Sequence, residues 1–121
     1  MSKIAIMEDD PTMLSLLQTL LEFEGFRAFH IDHARKIPQV LDALQTAMPD
    51  LLILDIHLDQ INGFDLLRDL RRDQNFKPMR ILVSSGRELS RECFQAGADG
   101  FIMKPFMPDE LIGQIRNILG N

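Results

Sequence analysis

Three short apolar runs of β type each end on a group able to hold a magnesium ion or a phosphoryl anion. Ile4-Ala5-Ile6 leads into Met7-Glu8-Asp9-Asp10, Leu51-Leu52-Ile53-Leu54 into Asp55, and Phe101-Ile102-Met103 into Lys104-Pro105. In a parallel sheet with helical crossovers the carboxyl ends of the strands lie along one edge, so groups far apart in sequence can meet there. Carboxylates beside one lysine suggest a divalent cation and an anion. Acids this close repel unless cations neutralise them, and magnesium takes hard oxygens, few carboxylates and several waters.

The elements that must position these groups follow from periodicity. Apolar runs alternate with amphipathic stretches of helical length, which argues for β-α units around a parallel sheet. The first strand is expected at Lys3–Met7. Pro11 then opens a helix to about Glu24, with Leu14, Leu17, Leu20 and Leu21 on one face and Gly25 as its stop. Phe26–Ile31 reads as the second strand and Ala34–Met48 as the second helix, with Pro38 in its first turn. Leu51–Leu54 is a continuous apolar run, the mark of a central strand covered on both faces, and it presents Asp55 at its mouth. A third helix at Phe64–Arg72, a strand at Ile81–Val83, a short helix at Glu88–Gln95, a strand at Phe101–Met103 and a helix at Pro108–Leu119 complete the order.

The length of 121 residues suits one domain over 1–121, with a core that needs no metal or disulfide staple. Hydrophobic residues make up 45% and charged residues 26%, the ordinary balance of a soluble globular chain. No apolar run approaches the roughly 18 residues of a membrane helix. Met1-Ser2-Lys3 runs straight into a strand, leaving no room for a secretory signal, so a cytoplasmic location is expected. The single cysteine, Cys93, reads as a helix packing residue. A net charge of −5 gives no field that attracts nucleic acid, and direct DNA binding by this chain is not expected. His30 and His33 are assigned no function.

The order and spacing of these pieces resemble the receiver domain of two-component response regulators, the CheY-like family, over essentially the whole chain. The matching pieces are Glu8-Asp9-Asp10-Pro11, Leu54-Asp55, Gly63 eight residues later, a small hydroxyl residue after the fourth strand, and Gly97 to Phe106 with Lys104-Pro105 inside it. The resemblance implies a flavodoxin-like doubly wound (βα)5 fold, α/β in class, with a five-stranded parallel sheet in the order 2-1-3-4-5. It implies that Asp55 is the phosphoacceptor, attacking a phosphohistidine on a histidine kinase or phosphotransfer protein. Glu8, Asp9, Asp55 and the backbone carbonyl of His57 would hold Mg²⁺, with Asp9 the direct ligand of the acidic pair and Glu8 acting through water. Asp10 is read mainly as a helix cap. Lys104 would contact the phosphoryl oxygens, aimed inward by a cis bond to Pro105. Ser85, with Ser84 as the alternative, would be the switch hydroxyl. Phe101 would be the aromatic that turns with it, or a core packing residue.

The function so implied is a phosphorylation-dependent switch whose output is a face made by the fourth helix, fifth strand and fifth helix. That face would control a partner protein or an effector domain, from a monomer or a weak homodimer. Self-phosphorylation and self-dephosphorylation would be its only chemistry. The alternatives are a constitutive pseudo-receiver and a Mg²⁺-dependent phosphatase; the latter usually needs a second acid two residues after the nucleophile, where this chain has His57. His57 itself reads as a solvated loop residue, or as one that orients or blocks water. The chain departs from the family with Asp59 where Pro is common, Asn62 where Asp is common, and a segment before Lys104 about three residues shorter than is common, which predicts a fourth helix that is short, mobile or tilted.

Overall fold

The structure is a computed structural model in which residues 1–32 and 36–120 are described; the expectations for His33 and for the start of the second helix at Ala34 lie outside them. Five strands run parallel: β1 (Lys3–Met7), β2 (Arg27–His30), β3 (Leu51–Asp55), β4 (Arg80–Ser85) and β5 (Gly100–Met103). Their order is β2-β1-β3-β4-β5, as the resemblance implied. The helices are α1 (Pro11–Phe23), α2 (Ile37–Ala47), α3 (Gly63–Arg72), α4 (Ser90–Gln95) and α5 (Pro108–Leu119). A 3₁₀ turn at Gln74–Phe76 was not anticipated.

Alternation along the strands builds two cores. Ala5, Met7, Leu52, Leu54, Ile81 and Val83 face α2, α3 and α4, while Ile4, Ile6, Leu51, Ile53, Leu82 and Ile102 face α1 and α5. β3 is buried at all five positions, as its unbroken apolar run requires. Truncating such a side chain, for example Leu54→Ala, costs about 3 kcal/mol because the neighbours cannot close the void. β2, at the sheet edge, is exposed at both its ends, so its apolar pattern is weaker.

Local chemistry sets the helix ends that border the carboxyl edge. Asp10 accepts hydrogen bonds from the amides of Thr12 and Met13 and Pro11 fills the first turn, confirming the capping role. Asn62 caps α3 through the Asp65 amide, so its short side chain serves there without a charge. A Cβ at Gly63 would run into the Ile56 backbone; glycine is required because the α3 start lies directly on the loop that leaves Asp55.

Two boundaries differ from the sequence reading in ways that matter. β3 includes Asp55 and β4 extends through both serines, because each gains ladder bonds from neighbours: the Ile56 amide to the Ser84 carbonyl at 3.1 Å and the Lys104 amide to the Ser85 carbonyl at 2.8 Å. α4 has six residues and is shorter than the eight-residue reading.

Candidate functional site

The carboxyl ends of β1, β3, β4 and β5 meet beside the point where the sheet order reverses, between β1 and β3, where doubly wound folds open a crevice. Among the described residues, the buried polar or charged side chains are Glu8, Asp55, Ser84 and Ser85, and all four sit at this edge. Glu8 is 4% exposed and Asp55 7%. Carboxylates this deep persist only with compensating partners.

Lys104 supplies part of that compensation. Its Nζ donates to Glu8 Oε1 at 2.7 Å and to Asp55 Oδ2 at 3.1 Å, and its bond to Pro105 is cis. Burial opposes the charge on this ammonium, but the hydrogen bonds and charges of Glu8 and Asp55 outweigh it and raise the lysine above its ordinary pKa. It is therefore a permanent cation at neutral pH. The other Glu8 oxygen accepts from the Asp10 amide at 3.1 Å, and the other Asp55 oxygen from the His57 amide at 2.9 Å.

Asp9 stands at the same edge, and its Oδ2 accepts from the Asp59 amide at 2.9 Å. Here the departure at position 59 acquires a physical meaning: a proline in that place would have no N–H to give. The donor set is three carboxylates against one lysine, all hard oxygens, which suits a magnesium ion. No three His, Cys, Asp or Glu side chains among the described residues already converge as a cage; an ion that keeps several of its waters does not require one.

The serines separate by register. Ser84 stands opposite Asp55 in the β3–β4 ladder, and Ser85 follows on the other face. Ser85 Oγ accepts from the Arg87 amide at 2.9 Å and lies 2.8 Å from His57 Nε2. His57 is exposed, as expected of a loop residue, yet the reading of it as simply solvated is corrected: its ring is tied to Ser85 and its backbone to Asp55. The link between His57 and Ser85 was not legible in the sequence, since 28 residues separate them and only strand pairing brings them together. Phe101 is half-buried and packs against the core shared with α2, α3 and α4, and Gln114 donates to its carbonyl at 2.9 Å. His30 ends β2, opposite Ile6 of β1.

A parallel 2-1-3-4-5 sheet with helices on both faces and buried acids at the switch point defines a flavodoxin-like fold of the CheY-like kind. The chain belongs to the response regulator receiver domain family, whose model matches residues 4–116. It is 40% identical over 120 residues to the transcriptional regulatory protein CpxR of Escherichia coli K12, covering 98% of this chain and 50% of CpxR. The chain thus spans about half the length of the curated relatives it matches. A putative response regulator from Chloroflexus aurantiacus superimposes with a TM-score of 0.86 at 29% identity, over 99% of this chain and 98% of that one. The receiver domain of the sensor histidine kinase PA1611 from Pseudomonas aeruginosa, solved with a magnesium ion in its active-site cleft, shares the fold, with a TM-score of 0.83 at 24% identity over 99% of this chain and 98% of that one. Receiver domains are signalling modules of two-component systems that interact with histidine kinases. Among the described residues, no helix is long and apolar enough to cross a membrane.

Proposed function

We propose that residues 1–121 form a single receiver domain that works as a phosphorylation-dependent switch, with Asp55 as the phosphoacceptor. An Asp55 oxygen attacks the phosphorus of a phosphohistidine on a histidine kinase or phosphotransfer protein; the P–N bond breaks, the imidazole leaves, and an aspartyl phosphate forms. The observation that carries this reading is the buried corner in which Glu8 and Asp55 share Lys104, with Asp9 alongside. Lys104, already within reach of Asp55, would hold the oxygens of the arriving phosphoryl group. Glu8, Asp9, Asp55 and the His57 carbonyl would hold Mg²⁺, which would supply the charge neutralisation that one lysine cannot complete.

Of the two candidate hydroxyls, Ser84 is the one the β3–β4 register favours as the switch, because it pairs with Asp55 and shares its face, whereas Ser85 turns to the other face, where its Oγ meets His57 and the Arg87 amide. Movement of that hydroxyl toward the phosphoryl group, with Phe101 turning inward, would shift a pre-existing equilibrium at the α4, β5 and α5 face. That face would act on a partner protein or on an effector domain, from a monomer or weak homodimer in the cytoplasm. The complete set of Glu8, Asp9, Asp55, a serine at the end of β4 and Lys104 speaks against a constitutive pseudo-receiver.

Intact-protein mass after incubation with acetyl phosphate and Mg²⁺ tests the assignment. The expected result is an acid-labile gain of one phosphoryl group that needs Mg²⁺ and disappears in Asp55→Asn. A wild-type chain that gains nothing would overturn the switch and leave the pseudo-receiver.

A further inference from the structure

The loop that leaves Asp55 is anchored at several points. Leu58 and Ile61 are buried in the core shared with α2, α3 and α4, and the Ile56 backbone lies directly against Gly63. Asp59 is exposed between those two buried residues, so its backbone is held while its side chain faces solvent. Its amide donates to Asp9 Oδ2 at 2.9 Å, across 50 positions of the chain. The donor in this contact is backbone, and of all residues at position 59 only proline would lack it.

Asp9 is the acid that most needs a holder. Glu8 and Asp55 share Lys104, and each also takes a nearby amide, from Asp10 and His57. Asp9 is half-buried beside them, and repulsion from two ionised carboxylates works to drive its own toward solvent. A hydrogen bond from a fixed amide to a charged oxygen is among the stronger ones and resists that drift. The other oxygen, Oδ1, is turned out of contact with solvent. A side chain already held in place has no rotamer freedom left to lose when an ion arrives.

We infer that the Asp59 amide is a positioning group for the metal site: by holding Asp9 Oδ2 it keeps that carboxylate in the acidic corner, ready for a Mg²⁺ ion. The inference rests on the proposed reading of Asp9 as a direct Mg²⁺ ligand. Groups that orient a ligand from behind change metal affinity by about ten- to a hundredfold. The exposed Asp59 carboxylate adds only a screened charge, so position 59 acts through its backbone.

The test titrates Mg²⁺ into the ¹⁵N-labelled chain and reads the Asp10 and His57 amides, which donate to Glu8 and Asp55. Asp59→Pro removes the N–H at position 59; Asp59→Ala and Asp59→Asn remove the charge and keep the N–H. The proline variant should need about tenfold more Mg²⁺ to reach its midpoint, and the other two less than about threefold more. Equal losses in all three variants, or an unchanged midpoint in the proline variant, would overturn the positioning role. Solvent exchange of the Asp59 amide in the wild-type chain decides the matter even where the proline variant does not fold. Its protection should persist at saturating Mg²⁺; protection lost on binding would show that the bond competes with the ion, and would overturn the role as well. A wild-type chain that shows no response to Mg²⁺ would instead remove the reading of the metal site, and the positioning role with it.

Discussion

At the amino end of the sheet, Asp99 is shared by Arg71 at 2.6 Å and Arg80 at 3.7 Å, and also accepts the Ile81 amide at 2.8 Å. At the carboxyl end, Glu8 and Asp55 share one lysine, with Asp9 beside them. Both clusters join acid to base between elements distant in the chain, but their balance is opposite. Two guanidinium groups on one carboxylate leave no demand for another cation, and Arg71 also ties down the Gly97 and Phe76 carbonyls, at 2.7 and 3.1 Å. That cluster is a strut between α3 and the turn before β5. Three acids on one lysine leave a deficit that a metal ion can fill, and an anion can then follow. Imbalance in a buried corner, more than the presence of charge, separates a site from a brace.

The comparison breaks first at Lys104. Lys104→Met should slow phosphoryl incorporation from acetyl phosphate by about a hundredfold, the usual loss when one preorganised group facing the developing charge is removed. Mass spectrometry against time measures it, and an unaltered rate would mean that the lysine only balances Glu8. Arg71→Ala should act in the opposite sense. It leaves Asp99 and two carbonyls short of a partner, so urea unfolding should show a stability lower by about 2 kcal/mol. The folded variant should incorporate phosphoryl at the wild-type rate; a matched loss of incorporation would show that the two ends are coupled.

The smallest effect comes from a group in neither cluster. Burial pushes the Cys93 thiol up from 9.0 to about 11, helped by the nearby charges of Glu92 and Glu88. The fold prefers the neutral thiol, so its contribution is complete below pH 9 and is lost as pH rises toward 11. Denaturation midpoints measured from pH 8 upward should fall more steeply for the wild type than for Cys93→Ala. Subtracting that slope sharpens what remains, the alkaline behaviour of the two charged ends.

Much of the fold was legible because it depends on patterns local to the chain. Leu51 to Leu54 must be a covered strand wherever it lies, Pro11 must open a helix, and Asp10 has the side chain to cap it. The α4 helix was expected to be short, and it is shorter still: it begins at Ser90, after a loop in which the Arg87 amide donates back to Ser85 Oγ and the Ser90 amide to the Glu88 carboxylate. The strand ends at Asp55 and Ser85 were misjudged because polar residues carry no apolar periodicity, and only neighbouring strands hold them in the ladder.

The sequence by itself determined which groups could do the chemistry: an acid, an acidic pair and a lysine, each at the end of an apolar run, because residue type and local period are properties of the chain alone. Tertiary structure decided how those groups are matched. It gave Lys104 to Glu8 as well as to Asp55, supplied Asp9 with an amide from Asp59, and brought His57 onto Ser85. These pairings act over about 3 Å or less between residues up to 96 positions apart, and such distances exist only once the strands have found their register.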